Sequence, residues 1–262
     1  MKNIKLISLV VVIVCVVITT QLSISAAGES YSWYCMRNKN HLQPRCEANM
    51  SFIEHYNGYY VDRRHGDDCA DKVVYLTFDA GYENGNIARI LDVLNQKKVK
   101  AAFFILSNLP KSSTDLVKRM AAEGHTLCNH TASHKDMSSV SDKEAFAAEL
   151  SGLEQVCREY TGLEVAHFYR PPEGRFSEQN LKAASELGYK TIFWSFAYAD
   201  WDNNKQPSPD YAKKLILDNI HNGAILLLHP TSATNAQILP EVIDTLRQQG
   251  YRFGTLEEMT AQ

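Results

Sequence analysis

The sequence lacks several features that would place it in a common functional class. No CxxC pair occurs among its 6 cysteines, so a cysteine-based zinc site has no support. No GxGxxG or GxxxxGK[ST] loop follows its first predicted strand, which argues against a nucleotide ligand. Basic residues do not outnumber acidic ones, since the net charge is -3, and we therefore expect no binding to nucleic acid.

A long apolar run occurs only at the N-terminus, from Leu6 to Ile18, and it is shorter than the roughly 20 residues of a membrane-spanning helix. Lys2 and Lys5 precede this run, and the small residues 25–27 follow it. A secretory signal peptide has this layout. We expect residues 1–27 to direct export across the cytoplasmic membrane, and the alternative is an uncleaved N-terminal anchor.

Two further regions follow this N-terminal segment. Residues 28–70 are rich in aromatic and charged side chains without sustained periodicity, and we expect an irregular arm that packs Trp33 onto the main domain. From residue 71 to 262, short apolar runs alternate with amphipathic stretches. The predicted strands are 73–79, 101–106, 125–130, 167–170, 190–195, 224–229 and a last one starting at 251. The predicted helices are 86–98, 113–124, 141–162, 177–188, 208–223 and 235–250.

This alternation predicts an α/β fold, in which helices connect the strands of a parallel sheet. The strands are almost continuously apolar, as expected when both faces of a sheet are covered. An open doubly wound sheet and a closed barrel both fit the pattern. Because no phosphate-binding loop is present, we favour a distorted (β/α)7-type barrel with an irregular N-terminal arm.

Polar side chains that could take part in catalysis fall at the ends of these predicted strands. They are Asp79, His130, Arg170, Asp200 and His229. The carboxyl ends of parallel strands form one rim, where ligands bind. Each of these residues alone could be a turn or core residue, but their occurrence at one rim favours a catalytic site.

His130 and His134 form a second pattern, because they are separated by four residues. On a helical turn this spacing brings both imidazoles to one side, as in metal-binding pairs. The same spacing also occurs in surface turns, so the pair alone does not establish a metal site.

Five motifs, in this order, make the sequence similar to the polysaccharide deacetylase family (NodB homology, carbohydrate esterase 4). They are TFDAG at 77–81, HTASH at 130–134, RPPEG at 170–174, ADW at 199–201 and LLLH at 226–229. The resemblance runs from about Val73 to the C-terminus. With YSWY at 31–34 and GYENG at 81–85, it is closest to the subgroup that makes muramic δ-lactam in endospore cortex.

The resemblance implies a role for each matching residue. His130 and His134 would bind a divalent metal, usually zinc, with Asp79 as an occasional third ligand. Asp79 would be the general base, His229 the general acid, Arg170 the partner of Asp79 and Asp200 the partner of His229. Substrate contacts would come from Trp201, Pro172, Glu173, Gly174 and Arg175, and backbone N–H groups of residues 172–174 would stabilise an oxyanion.

Two positions depart from the family pattern. Ala80 stands where the family usually has a second aspartate that binds the metal, so we expect a weakly held ion. Glu173 stands where the subgroup often has a basic residue suited to the lactyl carboxylate of muramic acid, and Arg175 is the candidate to replace it.

The expected activity is metal-dependent removal of N-acetyl groups from peptidoglycan glycan strands, principally from peptide-free N-acetylmuramic acid. Membrane contact is expected only through the N-terminal segment. One alternative is a general peptidoglycan or chitin-type N-acetylglucosamine deacetylase. The other is a non-catalytic glycan-binding protein, which Ala80 motivates and the retained acid and base residues disfavour.

Overall fold

The computed structural model describes residues 29–34, 37 and 40–261, and the predicted signal peptide lies outside them. Its strands are β1 Ser30–Ser32, β2 Gly58–Tyr59, β3 Lys72–Ala80, β4 Ala102–Ile105, β5 Thr126–Asn129, β6 Ala166–Tyr169, β7 Arg175–Ser177, β8 Lys190–Ile192, β9 Ala224–Leu228 and β10 Tyr251–Phe253. Its α-helices are α1 Asn86–Lys97, α2 Asn108–Ser112, α3 Thr114–Ala122, α4 Lys143–Thr161, α5 Glu178–Glu186, α6 Pro209–Asn219, α7 Ala233–Gln248 and α8 Leu256–Thr260.

The sheet is built around β3, the longest strand. It pairs in parallel with β4 on one side and with β9 on the other. The sheet continues from β4 through β5 and β6 to β8. A parallel bridge between Phe196 and Leu226 joins the chain after β8 to β9, which curls the sheet into a distorted barrel. The predicted (β/α) barrel and its seven strands are therefore confirmed.

Side chains of β3 alternate between two apolar layers, as the period of a strand requires. Val73 and Tyr75 lie in one cluster, which includes Phe104 from β4 and Ile225 from β9. The other cluster contains the intervening β3 residues and the apolar sides of α1, α3, α6 and α7. From β3 it takes Val74, Leu76, Phe78 and Ala80. The second layer thus holds the helices against the sheet, while the first fills the barrel.

The region predicted as an irregular arm contains short regular pieces. β1 pairs antiparallel with β7, β2 pairs in parallel with β8, and residues 48–56 form a 3₁₀ helix. Trp33 is buried, and its indole N–H donates to the Trp194 carbonyl at 2.9 Å. The arm is therefore packed onto the barrel as expected, but it also contributes strands, and the boundary at residue 70 stays a prediction.

Side chains of the preceding residues cap several of the helices, including α4 and α6. Ser208 caps α6 and Pro209 occupies its first turn. Asp142 caps α4 by accepting from the Ala145 N–H at 2.7 Å. Among the described residues, we find no helix with the length and apolar character needed to cross a bilayer.

Candidate active site

The carboxyl ends of the strands open into a cleft of about 840 Å³. Among the predicted site residues, those that line it are Asp79, His130, His134, Glu173, Gly174, Trp201 and His229. Arg170 and Asp200 are fully buried behind the cleft, each against one of these residues. Pro172 and Arg175 do not line it. Most of the predicted site residues therefore lie together: seven line the cleft, and Arg170 and Asp200 contact two of these from the protein interior.

Asp79 lies at the carboxyl end of β3, beside the buried guanidinium of Arg170. Arg170 Nη1 donates to Asp79 Oδ1 at 2.8 Å, and Nη2 donates to Thr77 Oγ1 at 2.8 Å. Arg170 Nε donates to the Ile192 carbonyl at 2.9 Å, which fixes the plane of the guanidinium group. Burial raises the pKa of Asp79, but the charge of Arg170, the nearby imidazoles and the Arg170 hydrogen bond together outweigh burial and hold the pKa below its ordinary value. Asp79 is thus an ionised carboxylate facing the cleft.

His229 follows β9 and is held by Asp200. His229 Nδ1–H donates to Asp200 Oδ1 at 2.7 Å, and the His229 backbone N–H donates to Oδ2 at 2.8 Å. This arrangement leaves Nε2 for the cleft. Burial lowers the pKa of His229, but the hydrogen bond and charge of Asp200 outweigh it, so the pKa lies above its ordinary value. His229 is therefore suited to donate a proton.

Two residues that sequence reasoning missed support this pair. Asn235 Nδ2–H donates to Asp200 Oδ2 at 2.6 Å and to the His229 carbonyl at 3.1 Å. Tyr198 O–H donates in turn to Asn235 Oδ1. Tyr198 directly precedes the ADW motif, whereas Asn235 lies in the first turn of α7 and has no local signal.

The two histidines of HTASH lie next to each other, with ring centroids 5.1 Å apart and planes at 72°. They are not on a helical turn as predicted, since Thr131 and His134 have φ values of 73° and 57°. Side chains fix this bend: Asn129 Oδ1 accepts from the Thr131 N–H at 2.9 Å, and Thr131 Oγ1 accepts from the His134 N–H at 3.0 Å. The four-residue spacing therefore predicted correctly that the two imidazoles lie together, but the predicted helical backbone between them was wrong.

The two ring nitrogens of His130 have different surroundings: Nδ1 makes a hydrogen bond to the backbone, and Nε2 faces Asp79. Its Nδ1–H donates to the Arg170 carbonyl at 2.9 Å, and Nε2 lies 3.5 Å from Asp79 Oδ2. Burial lowers the pKa of His130 to about 4, so the ring is neutral and Nε2 carries a lone pair. Such a backbone hydrogen bond is the usual support of a metal-binding histidine.

The donor chemistry therefore fits a divalent ion, with two imidazoles and an adjacent carboxylate. However, no group of three histidine, cysteine or acidic residues in the described part of the chain is arranged to hold an ion. Ala80, at the position of the missing aspartate, is fully buried in the apolar layer under the helices. The predicted set of His130, His134 and Asp79 stays a prediction, with the two histidines as its core.

The 172–174 loop supplies less to the cleft than predicted. Pro172 has no N–H, and the Gly174 N–H donates to the Pro171 carbonyl at 3.0 Å, which leaves the N–H of Glu173 as the loop's donor for an oxyanion. A Cβ at Gly174, where φ is 67°, would lie 2.8 Å from Trp194, so glycine is required there.

Arg175 is held away from the cleft by acidic neighbours. Its Nη1 lies 2.8 Å from Asp136 Oδ2, and its Nε lies 3.4 Å from Glu173 Oε2. Trp201, by contrast, stands at the rim with 62% of its surface exposed, where its ring can stack on a sugar. The arm adds Trp33, Tyr34 and Arg37 to the lining, none of which was predicted as a site residue.

Known deacetylases share both the sequence and the fold of this chain. The polysaccharide deacetylase family model matches residues 66–192. The peptidoglycan-N-acetylmuramic acid deacetylase PdaA of Bacillus subtilis is 37% identical, and the alignment covers 88% of this chain and 86% of that protein. Its structure, described as a family 4 carbohydrate esterase, superposes with a TM-score of 0.82 and covers 88% of this chain and 97% of that one.

Two other relatives differ in activity. A peptidoglycan-N-acetylglucosamine deacetylase of Bacillus cereus is 35% identical over 71% of this chain and 67% of its own length. A structure from Bacillus anthracis, described as a carbohydrate esterase family 4 pseudoenzyme, is 27% identical, has a TM-score of 0.69 and covers 77% of this chain and 68% of that one. The chain therefore belongs to the polysaccharide deacetylase family of metal-dependent N-deacetylases.

Proposed function

We propose that this protein removes the N-acetyl group from N-acetylmuramic acid in peptidoglycan strands, as a step towards muramic δ-lactam in spore cortex. The observation that carries the proposal is the pairing of Asp79 with Arg170 and of His229 with Asp200 around one cleft. Binding alone has no need of a carboxylate and an imidazole whose pKa values are shifted in opposite directions.

The base side of the reaction belongs to Asp79. An amide is a poor electrophile, so the attacking water must lose a proton as its oxygen bonds to the carbonyl carbon. Asp79 is ionised and faces the cleft, and Arg170 keeps its Oδ1 fixed at 2.8 Å. A divalent ion held by His130 and His134 supplies, when bound, polarisation of the carbonyl and a lower pKa for water.

The acid side belongs to His229. The amide nitrogen cannot leave as an anion, so a proton must reach it as the carbon–nitrogen bond breaks. His229 carries that proton on Nε2 while Nδ1–H is held by Asp200, and its raised pKa keeps the imidazolium populated. The products are acetate and the glycan amine, and we assign to the backbone N–H of Glu173 the stabilisation of the charge that develops on the carbonyl oxygen.

The preference for muramic acid is supported by likeness to a named muramic acid deacetylase over 88% of the chain. The 35% identity to an N-acetylglucosamine deacetylase favours the second sugar as the alternative substrate. The buried Ala80 and the likeness to a pseudoenzyme favour a non-catalytic glycan-binding protein as a further alternative. We propose that residues 1–27 export the protein, so that it meets peptidoglycan outside the cytoplasmic membrane.

Acetate release from peptide-free peptidoglycan, with and without a chelator, tests the proposal. We expect chelator-sensitive acetate release, and mass spectrometry of the digested glycan should find the free amine on muramic acid. Free amines confined to glucosamine would establish the other deacetylase. No acetate release at any metal concentration, together with retained glycan binding, would refute catalysis.

A further inference from the structure

The cleft of a muramic acid deacetylase has to accommodate a second anion. In N-acetylmuramic acid a lactyl ether is attached to the ring carbon next to the one that bears the amide. The carboxylate of this lactyl group therefore enters the cleft together with the reacting amide. Both acidic residues in the lining, Asp79 and Glu173, repel it. A charge-assisted contact from a cation would favour this sugar over N-acetylglucosamine, which lacks the carboxylate.

Arg37 is the one arginine or lysine among the described residues that line the cleft. Its side chain is exposed, and it has no hydrogen bond or ion pair to another described residue. Arg170 does not line the cleft and is committed to Asp79. Arg175, the residue expected from sequence to bind the carboxylate, is held by Asp136 and Glu173 outside it.

The arm holds Arg37 on the side of the cleft formed by the 172–174 loop. The Trp33 backbone N–H donates to the Gly174 carbonyl at 2.8 Å, and the Trp33 indole donates to the Trp194 carbonyl at 2.9 Å. Arg37 follows Trp33 by four residues, which span at most about 14 Å when extended. A guanidinium carried by the arm therefore lies within reach of the position that Glu173 occupies in the loop.

The similarity to the muramic acid deacetylase extends into the arm. The alignment with the muramic acid deacetylase leaves 12% of the 262 residues uncovered, about 31, so it must include residues that precede residue 71. The alignment with the N-acetylglucosamine deacetylase leaves 29% uncovered, about 76, which is enough to omit all of them. Part of the arm is therefore shared with the muramic acid deacetylase.

We propose that Arg37 binds the lactyl carboxylate of the N-acetylmuramic acid residue that is deacetylated, and so makes the N-terminal arm a determinant of sugar specificity. The contact is a guanidinium–carboxylate pair, whose planar fork matches both carboxylate oxygens. It places the ring with its amide towards Asp79 and His229. This inference rests on the proposed muramic acid activity.

The test compares Arg37→Ala with wild type on two forms of peptide-free glycan strands, one with free lactyl carboxylates and one with these carboxylates converted to methylamides. On the free form we expect kcat/KM of the variant to fall about 10- to 100-fold, the range of a lost charge-assisted hydrogen bond. On the amidated form the two proteins should be equal. Arg37→Lys should recover part of the loss.

Arg45→Ala is the matched control, because Arg45 lies in the same arm, is exposed and does not line the cleft. Its kcat/KM should equal that of wild type, and the thermal midpoints of all variants should agree. If wild type deacetylates muramic acid but Arg37→Ala is unimpaired, or if Arg175→Ala shows the loss instead, this inference is wrong and the proposed function stands. If wild type does not act on muramic acid at all, the proposed function fails first.

Discussion

Replacing Asp200 by asparagine tests the acid half of the site. Asp200 is fully buried and accepts three hydrogen bonds, from His229 Nδ1 at 2.7 Å, the His229 N–H at 2.8 Å and Asn235 Nδ2 at 2.6 Å. Asparagine has nearly the same shape but only one oxygen, so one of these donors faces an amide NH₂. The substitution therefore removes a charge and a hydrogen bond while it preserves volume.

The size of the expected change in the pKa of His229 follows from those contacts. A hydrogen bond to a charged group contributes about 1.5–3 kcal/mol, which corresponds to roughly 1–2 pKa units for His229. Burial, which already opposes the charged imidazole, then dominates, so the pKa of His229 should fall below its ordinary value. We expect kcat to drop about 10²- to 10³-fold near neutral pH, within the usual contribution of a general acid.

The assay is the pH dependence of acetate release from peptide-free peptidoglycan between about pH 5 and 9. In wild type, activity is lost as pH rises through the raised pKa of His229, and the Asp200→Asn variant should lose activity at a pH lower by 1–2 units. Asp202→Asn is the control, because Asp202 only caps its own turn through the Asn204 N–H. An alkaline limb at the wild-type position in Asp200→Asn would refute the assignment of His229 as the acid.

Three further substitutions address the rest of the molecule. Arg170→Met leaves the Asp79 carboxylate buried without its partner and should lower the free energy of unfolding by about 3–5 kcal/mol, measured with urea. Ala80→Asp places a carboxylate in the apolar layer under the helices, so it should lower the thermal midpoint by more than the uncharged Ala80→Asn does, measured without added metal. Burial lowers the pKa of His125 to about 4, so the folded state binds this proton only at a lower pH than the unfolded state does. The free energy of unfolding should therefore fall as the pH drops from about 7 to 4. In His125→Gln this fall should be smaller by on the order of 2 kcal/mol.

The barrel could be predicted because its strands are almost continuously apolar and the intervening helices are amphipathic with clear caps. β1 and β2 could not be predicted, because strands of 3 and 2 residues owe their existence to the neighbours they pair with, β7 and β8. Asn235 was missed for a related reason. Its role depends on the distance between α7 and Asp200, which no spacing in the sequence encodes.

The bend at His130 illustrates a different limit. A separation of four residues indicated that the two imidazoles would meet, and they do, 5.1 Å apart. The spacing is equally compatible with a helical turn and with a bend containing left-handed residues. The side chains of Asn129 and Thr131 decide between them through local hydrogen bonds, a competition between side chain and backbone that a spacing rule does not include.

The alternation of β3 explains how the acid–base apparatus coexists with the missing metal ligand. Thr77 and Asp79 lie two residues apart, so they project from one face and bind the same guanidinium, while Phe78 and Ala80 project into the layer under the helices. The negative charge of Asp79 is consequently compensated by Arg170 and does not depend on an ion. An alanine at position 80 therefore leaves the ionisation of the base at position 79 intact. In this chain, Asp79 thus owes its negative charge to the guanidinium on its own face of β3, and the residue on the opposite face can be apolar without loss of the base.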